Sequence, residues 1–188
     1  LGLEVFDQQD GANNRNGIFE LKLFCQDSLA YHFNMEHFRR EETRYLDAHL
    51  DYEALRENGR YVNRLYLMPG NALSNYLKKG GMITLDPEEA VAVRLEAADI
   101  AGNISTLSFW LKRIPGRKHL QRPFYNYWLP REEASVIQTP SLFLRFPENS
   151  LYESLHFYYE PVLEDSYGVY SLVHHVHHPG TPLHQAFD

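Results

Sequence analysis

The sequence predicts an all-β protein of two sandwich-type modules, the first with an elaborated, partly helical crossover and the second incomplete. Three observations lead there. Apolar and polar residues alternate with a period of two through most of the 188-residue chain, the pattern of half-buried strands. Aromatic residues make up 14%, led by 13 Tyr and 11 Phe, and large rings suit pleated surfaces better than helix interiors. The one helix-like stretch is not followed by βαβ alternation, which argues against an α/β fold.

Taken in order, Ile18 to Cys25 alternates, with Phe19, Leu21, Leu23 and Cys25 on one face. Gln26-Asp27-Ser28 supplies turn chemistry, and Leu29, Tyr31, Phe33 and Met35 alternate again, so the two segments form a hairpin facing one core. Glu36 to Asn58 is rich in charge and helix formers. Leu46 and Leu50 stand four apart, with Tyr45, His49 and Tyr52 at spacings of four and three, which predicts one or two helical turns. Tyr61 to Met68 reads as a strand stopped by Pro69-Gly70-Asn71, and Gly80-Gly81 opens a short one at Met82 to Leu85. Val91, Val93, Leu95 and Ala97 share a face of the next strand, and Asp99-Ile100-Ala101-Gly102-Asn103 turns the chain into Leu107, Phe109 and Leu111. In that turn Gly102 tolerates positive φ, Asn103 joins it in a primed turn, and Asp99 caps local N–H groups.

Pro115-Gly116 and the stretch from Pro123 to Pro130 mark a composition change. The division expected is a first module at 1–113, a linker at 114–130 and a second module at 131–188. In the second, Leu142, Leu144 and Phe146 alternate, as do Leu155, Phe157 and Tyr159, and Tyr167, Val169, Ser171 and Val173 share a third face. Three strands are few for an independent sandwich, so this module is read as truncated or supported by the first.

Hydrophobic residues at 44% and charged residues at 23% allow a packed core. The net charge of −7 and the lack of a basic stripe exclude a polyanion-binding protein, and no nucleic-acid partner is expected. Arg113, Arg117, Lys118 and Arg122 sit beside Pro and Gly and read as solvated linker. Cys25, the single cysteine, excludes an intramolecular disulfide and reads as a buried structural thiol. No stretch reaches the ~20 apolar residues of a membrane span. The opening Leu-Gly-Leu-Glu-Val-Phe-Asp is neither an initiator nor a signal, so the sequence reads as a piece of a longer protein.

An ordered set of motifs carries a resemblance. It comprises Asn16-Gly17-Ile18-Phe19-Glu20, Glu42-Thr43-Arg44-Tyr45 running into Ala48-His49-Leu50-Asp51-Tyr52, Leu67-Met68-Pro69-Gly70-Asn71 with Leu73-Ser74-Asn75-Tyr76, and Asp99 to Leu107. Ser150-Leu151-Tyr152-Glu153 and Thr181-Pro182-Leu183-His184 extend it. The set resembles the non-catalytic region that follows the catalytic domain in large lysostaphin-type zinc metallopeptidases of Gram-negative bacteria. That resemblance implies immunoglobulin-like modules, a periplasmic or cell-envelope setting, and a peptidase domain preceding residue 1. Those peptidases bind zinc through His-x-x-x-Asp followed many residues later by His-x-His. Here His184 to Asp188 and His175-Val176-His177 match the strings in reversed order and close together, so no catalytic residue is carried over and no cofactor is expected.

Three features invite chemistry. On a strand His175 and His177 point to one face about 6–7 Å apart, a spacing two imidazoles can share around a metal. A site needs a third ligand, His184 or His156, and partners that fix the tautomers. The plainer reading is an exposed strand end, so the three histidines His175, His177 and His184 stand as metal candidates without an assigned metal. The carboxylates Glu36, Glu41, Glu42, Asp47, Asp51 and Glu53 lack the Gly-made turn of a calcium loop and read as solvated charges and ion pairs, with Arg44 pinning the crossover. Phe124-Tyr125-Asn126-Tyr127-Trp128 has the rings to stack on sugars, but beside Pro123 and Pro130 it reads first as packing between the modules.

The expected function is that of a non-catalytic accessory, spacer or substrate-recognition module of a cell-envelope metallopeptidase. Its partners are then adjacent domains of the same polypeptide, with peptidoglycan or another glycan as ligand. The alternatives are a glycan-binding β-sandwich module, favoured by several coplanar exposed rings in a groove and excluded by full burial of Tyr125, Tyr127 and Trp128, and a metal-dependent hydrolase centred on the tail histidines.

Overall fold

A computed structural model of the chain describes residues 1–8, 11, 13–114, 124–163, 168 and 171–184. The chain is all-β apart from its crossover and divides into two compact units, 1–118 and 119–188. No described helix is long and apolar enough to cross a membrane.

The first unit contains β1 (Gly2–Glu4), β2 (Glu20–Cys25), β3 (Ser28–Asn34), a 3-10 turn at Arg40–Glu42, α1 (Thr43–His49), α2 (Tyr52–Asn58), β4 (Val62–Arg64), β5 (Tyr76–Lys78), β6 (Ala90–Ala98) and β7 (Ile104–Lys112). Five strands form one antiparallel sheet in the order β5-β3-β2-β6-β7, while β1 and β4 pair as a ribbon. The alternation works as the sequence predicts. Leu21, Leu23, Tyr31, Phe33, Val91, Val93, Leu95 and Ala97 all turn to one face and are buried there. Leu65 and Leu73 join that core, and Leu3, Val5, Tyr45, Leu46, Ile83 and Leu85 pack against it. The opposite face is mixed, with charged residues beside Phe24 and an exposed Trp110. Lys22 and His32 each reach Glu20 at 2.7 Å, and Arg94 lies 3.8 Å over the Phe24 ring while contacting Glu96. Burial raises the Glu20 pKa, but the hydrogen bonds from Lys22 and His32 outweigh it and hold the carboxyl below its ordinary value.

The β2–β3 hairpin turns through Gln26 and Asp27, both left-handed at φ 47° and 61°, as a two-residue connection requires. Ala30 is the extra residue where the register shifts between Leu23 and Phe24. Such a bulge re-aims the local backbone, and the Ala30 carbonyl accepts from Gly81 N–H at 3.1 Å. The crossover is punctuated by local chemistry. Asp51 accepts from Ala54 N at 3.2 Å to start α2, and Gly59 ends it at φ 64°, with Arg60 N–H reaching back to Ala54 O. Glu42 ties the crossover to the following loop by accepting from Ser74 N and Oγ at 3.0 and 3.2 Å, while Arg44 lies over the Tyr45 ring. Cys25 is half-buried against the core rather than fully enclosed.

Two expected strands take other forms. Of Tyr61 to Met68 only β4 is a strand. The chain then bends so that Leu65 N–H meets Leu1 O and Leu67 N–H meets Gly80 O, at 3.0 and 3.1 Å. Met82 to Leu85 is irregular, with Ile83 and Leu85 packed inward without ladder pairing, and the edge of the sheet is β5 instead. At the Asp99–Asn103 turn Gly102 takes φ 90°. Asn103 keeps out of the left-handed region and donates to both Asp99 carboxylate oxygens, from N at 2.9 Å and Nδ2 at 2.6 Å. Leu107, opposite Leu95, faces the core side as expected; β7 is an edge strand, so that side chain stays 53% exposed.

Buried Asn75 is a clear test of this wiring. Its Nδ2 donates to Asn34 O at 2.7 Å and His37 O at 2.8 Å, stapling the end of β3 to the loop before β5. Asn75→Ala strands both carbonyls and is expected to cost about 1–3 kcal/mol. The check is a lowered urea midpoint at unchanged m; an unmoved midpoint would show that the staple contributes nothing.

The second unit contains β8 (Tyr127–Leu129), β9 (Ser135–Gln138), β10 (Phe143–Phe146), β11 (Leu155–Phe157), β12 (Tyr159–Val162) and β13 (Val173–Val176). They pair antiparallel as β8–β11, β9–β10 and β12–β13. Its core gathers Leu129, Ile137, Leu144, Phe146, Leu151, Phe157 and Tyr159. The sequence shows only three of these strands, because most are three or four residues long and alternation scarcely registers over that length. Leu155, Phe157 and Tyr159 do face one side, but β11 and β12 break at Tyr158. β8 lies inside the stretch read as a linker, its alternation masked by the flanking prolines, and Leu129 is buried in this core. Tyr167 and Val169 lie outside the described residues, as do Arg117, Lys118 and Arg122.

Candidate functional site

The outer side of β8–β11 is the most distinctive surface of the second unit. Register dictates it. Leu129 pairs with Leu155 and Tyr127 with Phe157, and these turn inward; between them Trp128 stands opposite His156, and both turn outward. The His156 ring lies 4.6 Å from Trp128 and 4.2 Å from Tyr125, tilted against them by 50° and 45°. Phe124 meets Tyr158 edge-on at 5.6 Å. The result is a faceted aromatic ridge rather than one flat plane. Trp128 is 52% exposed and Phe124 78%, whereas aromatic rings normally bury most of their area.

Polar groups flank the rings. Tyr158 donates its hydroxyl to Glu160, and that bond raises the phenol pKa. The Nδ1 atom of His156 is buried without a hydrogen-bond partner among the described residues. Asn126 holds the ridge to the core, since its Nδ2 donates to Tyr159 O at 2.6 Å and its Oδ1 accepts from Tyr159 N at 2.9 Å. The arrangement offers exposed π faces beside a carboxylate, which suits a ligand with one apolar face and hydroxyl edges. The run 124–128 marks these rings in the sequence. The placement of His156 between two of them does not show there, because it depends on strand register.

The tail histidines follow separate courses. β13 ends at Val176, and His177 lies beyond it at a left-handed φ of 46°, so His175 and His177 do not share a strand face as expected. His177 stacks on Phe157 at 5.2 Å and its Nδ1 accepts from Tyr158 N at 3.3 Å. Burial lowers its pKa, with His178 adding to the effect. His174 shares a hydrogen bond with the Tyr159 hydroxyl at 2.9 Å. His184 bonds to Asn149 O at 3.0 Å through Nδ1 and meets Tyr152 edge-on. His175 is exposed opposite Glu160. Within this unit, among the described residues, no three His, Cys, Asp or Glu side chains bring ligand atoms within 4.8 Å of one another. Asp188, the other end of the His-x-x-x-Asp string, lies outside the described residues.

No curated protein and no solved structure matches the chain. One family does, over about a third of it: the model of a family described as a Zu5-like domain matches residues 126–188. The match begins at Asn126, the residue that clamps Tyr159, and runs through the ridge strands and the tail. The second unit is thus similar to a Zu5-like domain from its first clamping residue onward.

Proposed function

We propose that this chain is a non-catalytic recognition region working beside a peptidase domain in the bacterial cell envelope, with the aromatic ridge as its glycan contact. The observation that carries the reading is the outward pair Trp128 and His156 on β8–β11, with Tyr125 against the same imidazole. Sugar rings present C–H faces that pack on exposed aromatic faces, and their hydroxyls meet carboxylates such as Glu160. The cell-envelope setting, the immunoglobulin-like modules and the neighbouring peptidase rest on the motif resemblance, above all the block from Glu42 to Tyr52 and its order before Pro69-Gly70-Asn71. Peptidoglycan strands are the ligand that setting makes available.

The test is titration with soluble peptidoglycan fragments and with chitooligosaccharides, followed by calorimetry and by backbone amide shifts. Saturable binding with shifts at 124–128 and 156–160 is expected. Trp128→Ala should weaken it at least about tenfold, the effect of truncating a central aromatic anchor, without lowering the melting temperature. Equal affinity in wild type and Trp128→Ala, or no binding at millimolar sugar, would overturn the glycan contact.

A further inference from the structure

The crossover of the first unit leaves a cleft with no role in the ridge. It has a volume of about 550 Å³, inside the ~300–1,000 Å³ usual for small-molecule sites. Phe6, Ile18, Met35, Leu46, Leu50 and Tyr61 supply apolar walls. Five separate segments meet here: the end of β1, residues 15–18, the end of β3, the end of α1 and residues 59–63. Each contributes one side of a hollow that none could enclose alone.

Two features give the hollow a polarity. At the inner wall His49 is 2% exposed and stacks on Phe33 at 4.0 Å and 14°. Its Nδ1 bonds to the Tyr76 hydroxyl at 3.0 Å, and Asn71 Nδ2 donates to the same oxygen at 3.3 Å. The hydroxyl hydrogen is then available to Nδ1, which leaves the imidazole hydrogen on Nε2. Nε2 is buried without a completed hydrogen bond, although the Asn63 amide lies beside the ring. Burial keeps this imidazole neutral, so it adds no charge to the inner wall. At the other wall the guanidinium of Arg15 lies 4.1 Å over the Phe6 ring and is exposed. The acid nearby, Glu4, is already held by Arg60 through Nε and Nη2 at 3.0 and 2.8 Å. Among the described residues no carboxylate pairs with Arg15, whose charge stands at the cleft.

An apolar hollow with a neutral imidazole on its inner wall and a cation that no carboxylate among the described residues pairs fits a particular class of molecule. We propose that the first unit binds a small anionic amphiphile, a single medium-length acyl chain ending in a carboxylate. The chain lies against the Phe33–His49 stack and the carboxylate meets Arg15 in a charge-assisted, two-pronged hydrogen bond. This site is independent of the glycan reading.

The experiment uses the whole chain with sodium dodecanoate, 1-dodecanol and dodecyltrimethylammonium, each below its micellar concentration, read by calorimetry and by amide shifts. Dodecanoate should bind one to one and shift residues 4–6, 15–18 and 46–50, with the alcohol at least about tenfold weaker and the cation weaker still. Arg15→Ala should bring dodecanoate down to the level of the alcohol, and Arg15→Lys should restore part of the difference. Ile18→Trp, which fills the hollow, should remove binding of both; its urea midpoint shows whether the fold is kept. If it unfolds, the Arg15 pair still decides the matter, because that side chain is exposed. Equal affinity for the three probes, indifference to Arg15→Ala, or shifts confined to the second unit would each overturn the site.

Discussion

Gly81→Ala is expected to be among the most damaging single substitutions in the first unit, at several times the cost of Gly102→Ala. Both glycines have positive φ, +88° and +90°, and that conformation alone costs an alanine about 1 kcal/mol. The surroundings differ. A Cβ on Gly102 meets nothing within 4 Å, whereas a Cβ on Gly81 would stand 1.9 Å from Leu65 O and 2.7 Å from Tyr66 Cα. Those are backbone atoms, so no side chain can swing aside. To relieve the overlap the chain must separate Gly81 from residues 65–66. That endangers two hydrogen bonds, Gly81 N to Ala30 O and Leu67 N to Gly80 O, both 3.1 Å. Strain and lost bonds together come to about 3–5 kcal/mol, a large share of a small domain's stability. Chemical denaturation of the two variants side by side separates clash from φ strain. Equal losses would mean that the close approach does not limit this fold.

That glycine shows where the sequence could be read and where it could not. Gly80-Gly81 is visible as a break in the pattern, but a turn and a close backbone approach look alike until the partner is known. The partners are Leu65 and Ala30, brought there by the bend after β4 and the bulge in β3. The β2–β3 hairpin and the β6 face were legible because each repeats its alternation over six or more residues against a buried core. β8 and β11 offer three residues each, too few to count a period. The ridge suffers the same loss: its rings are conspicuous in the sequence, while His156 joins them only through a register opposite Trp128. His177 misled for a related reason. One left-handed residue past the strand end sends its ring onto Phe157, and no spacing rule carries that information. Asn75 and Asn71 were visible only as residues of a motif, since what they hold are carbonyls far along the chain.

Acid should destabilise the first unit through His49 in a way that one substitution isolates. Burial pushes the imidazole down to about 4 from the ordinary 6.5, and the nearby Arg64 charge adds to the effect. The folded state therefore resists a proton that the unfolded chain accepts. The stabilisation is complete above pH 6.5, is lost progressively as pH falls from about 6.5 to about 4, and changes no further below that, where both states are protonated. A difference of this size corresponds to on the order of 3 kcal/mol. Glu20, Glu42 and Asp99, whose pKa values are lowered in the fold, also lose stability in acid, so the wild-type slope alone does not identify the histidine. His49→Phe does. A phenyl ring can keep the stack on Phe33 while removing the titration, and it leaves the Tyr76 hydroxyl with Asn71 as a partner. The loss of the Nδ1 bond should cost about 1 kcal/mol at pH 7.5. Between pH 7.5 and 4.5 the variant should then lose less stability than wild type, so that the two curves converge or cross. Parallel curves would mean that the imidazole takes up its proton in the folded state, and that the neutral imidazole assigned to the inner wall of the cleft is charged.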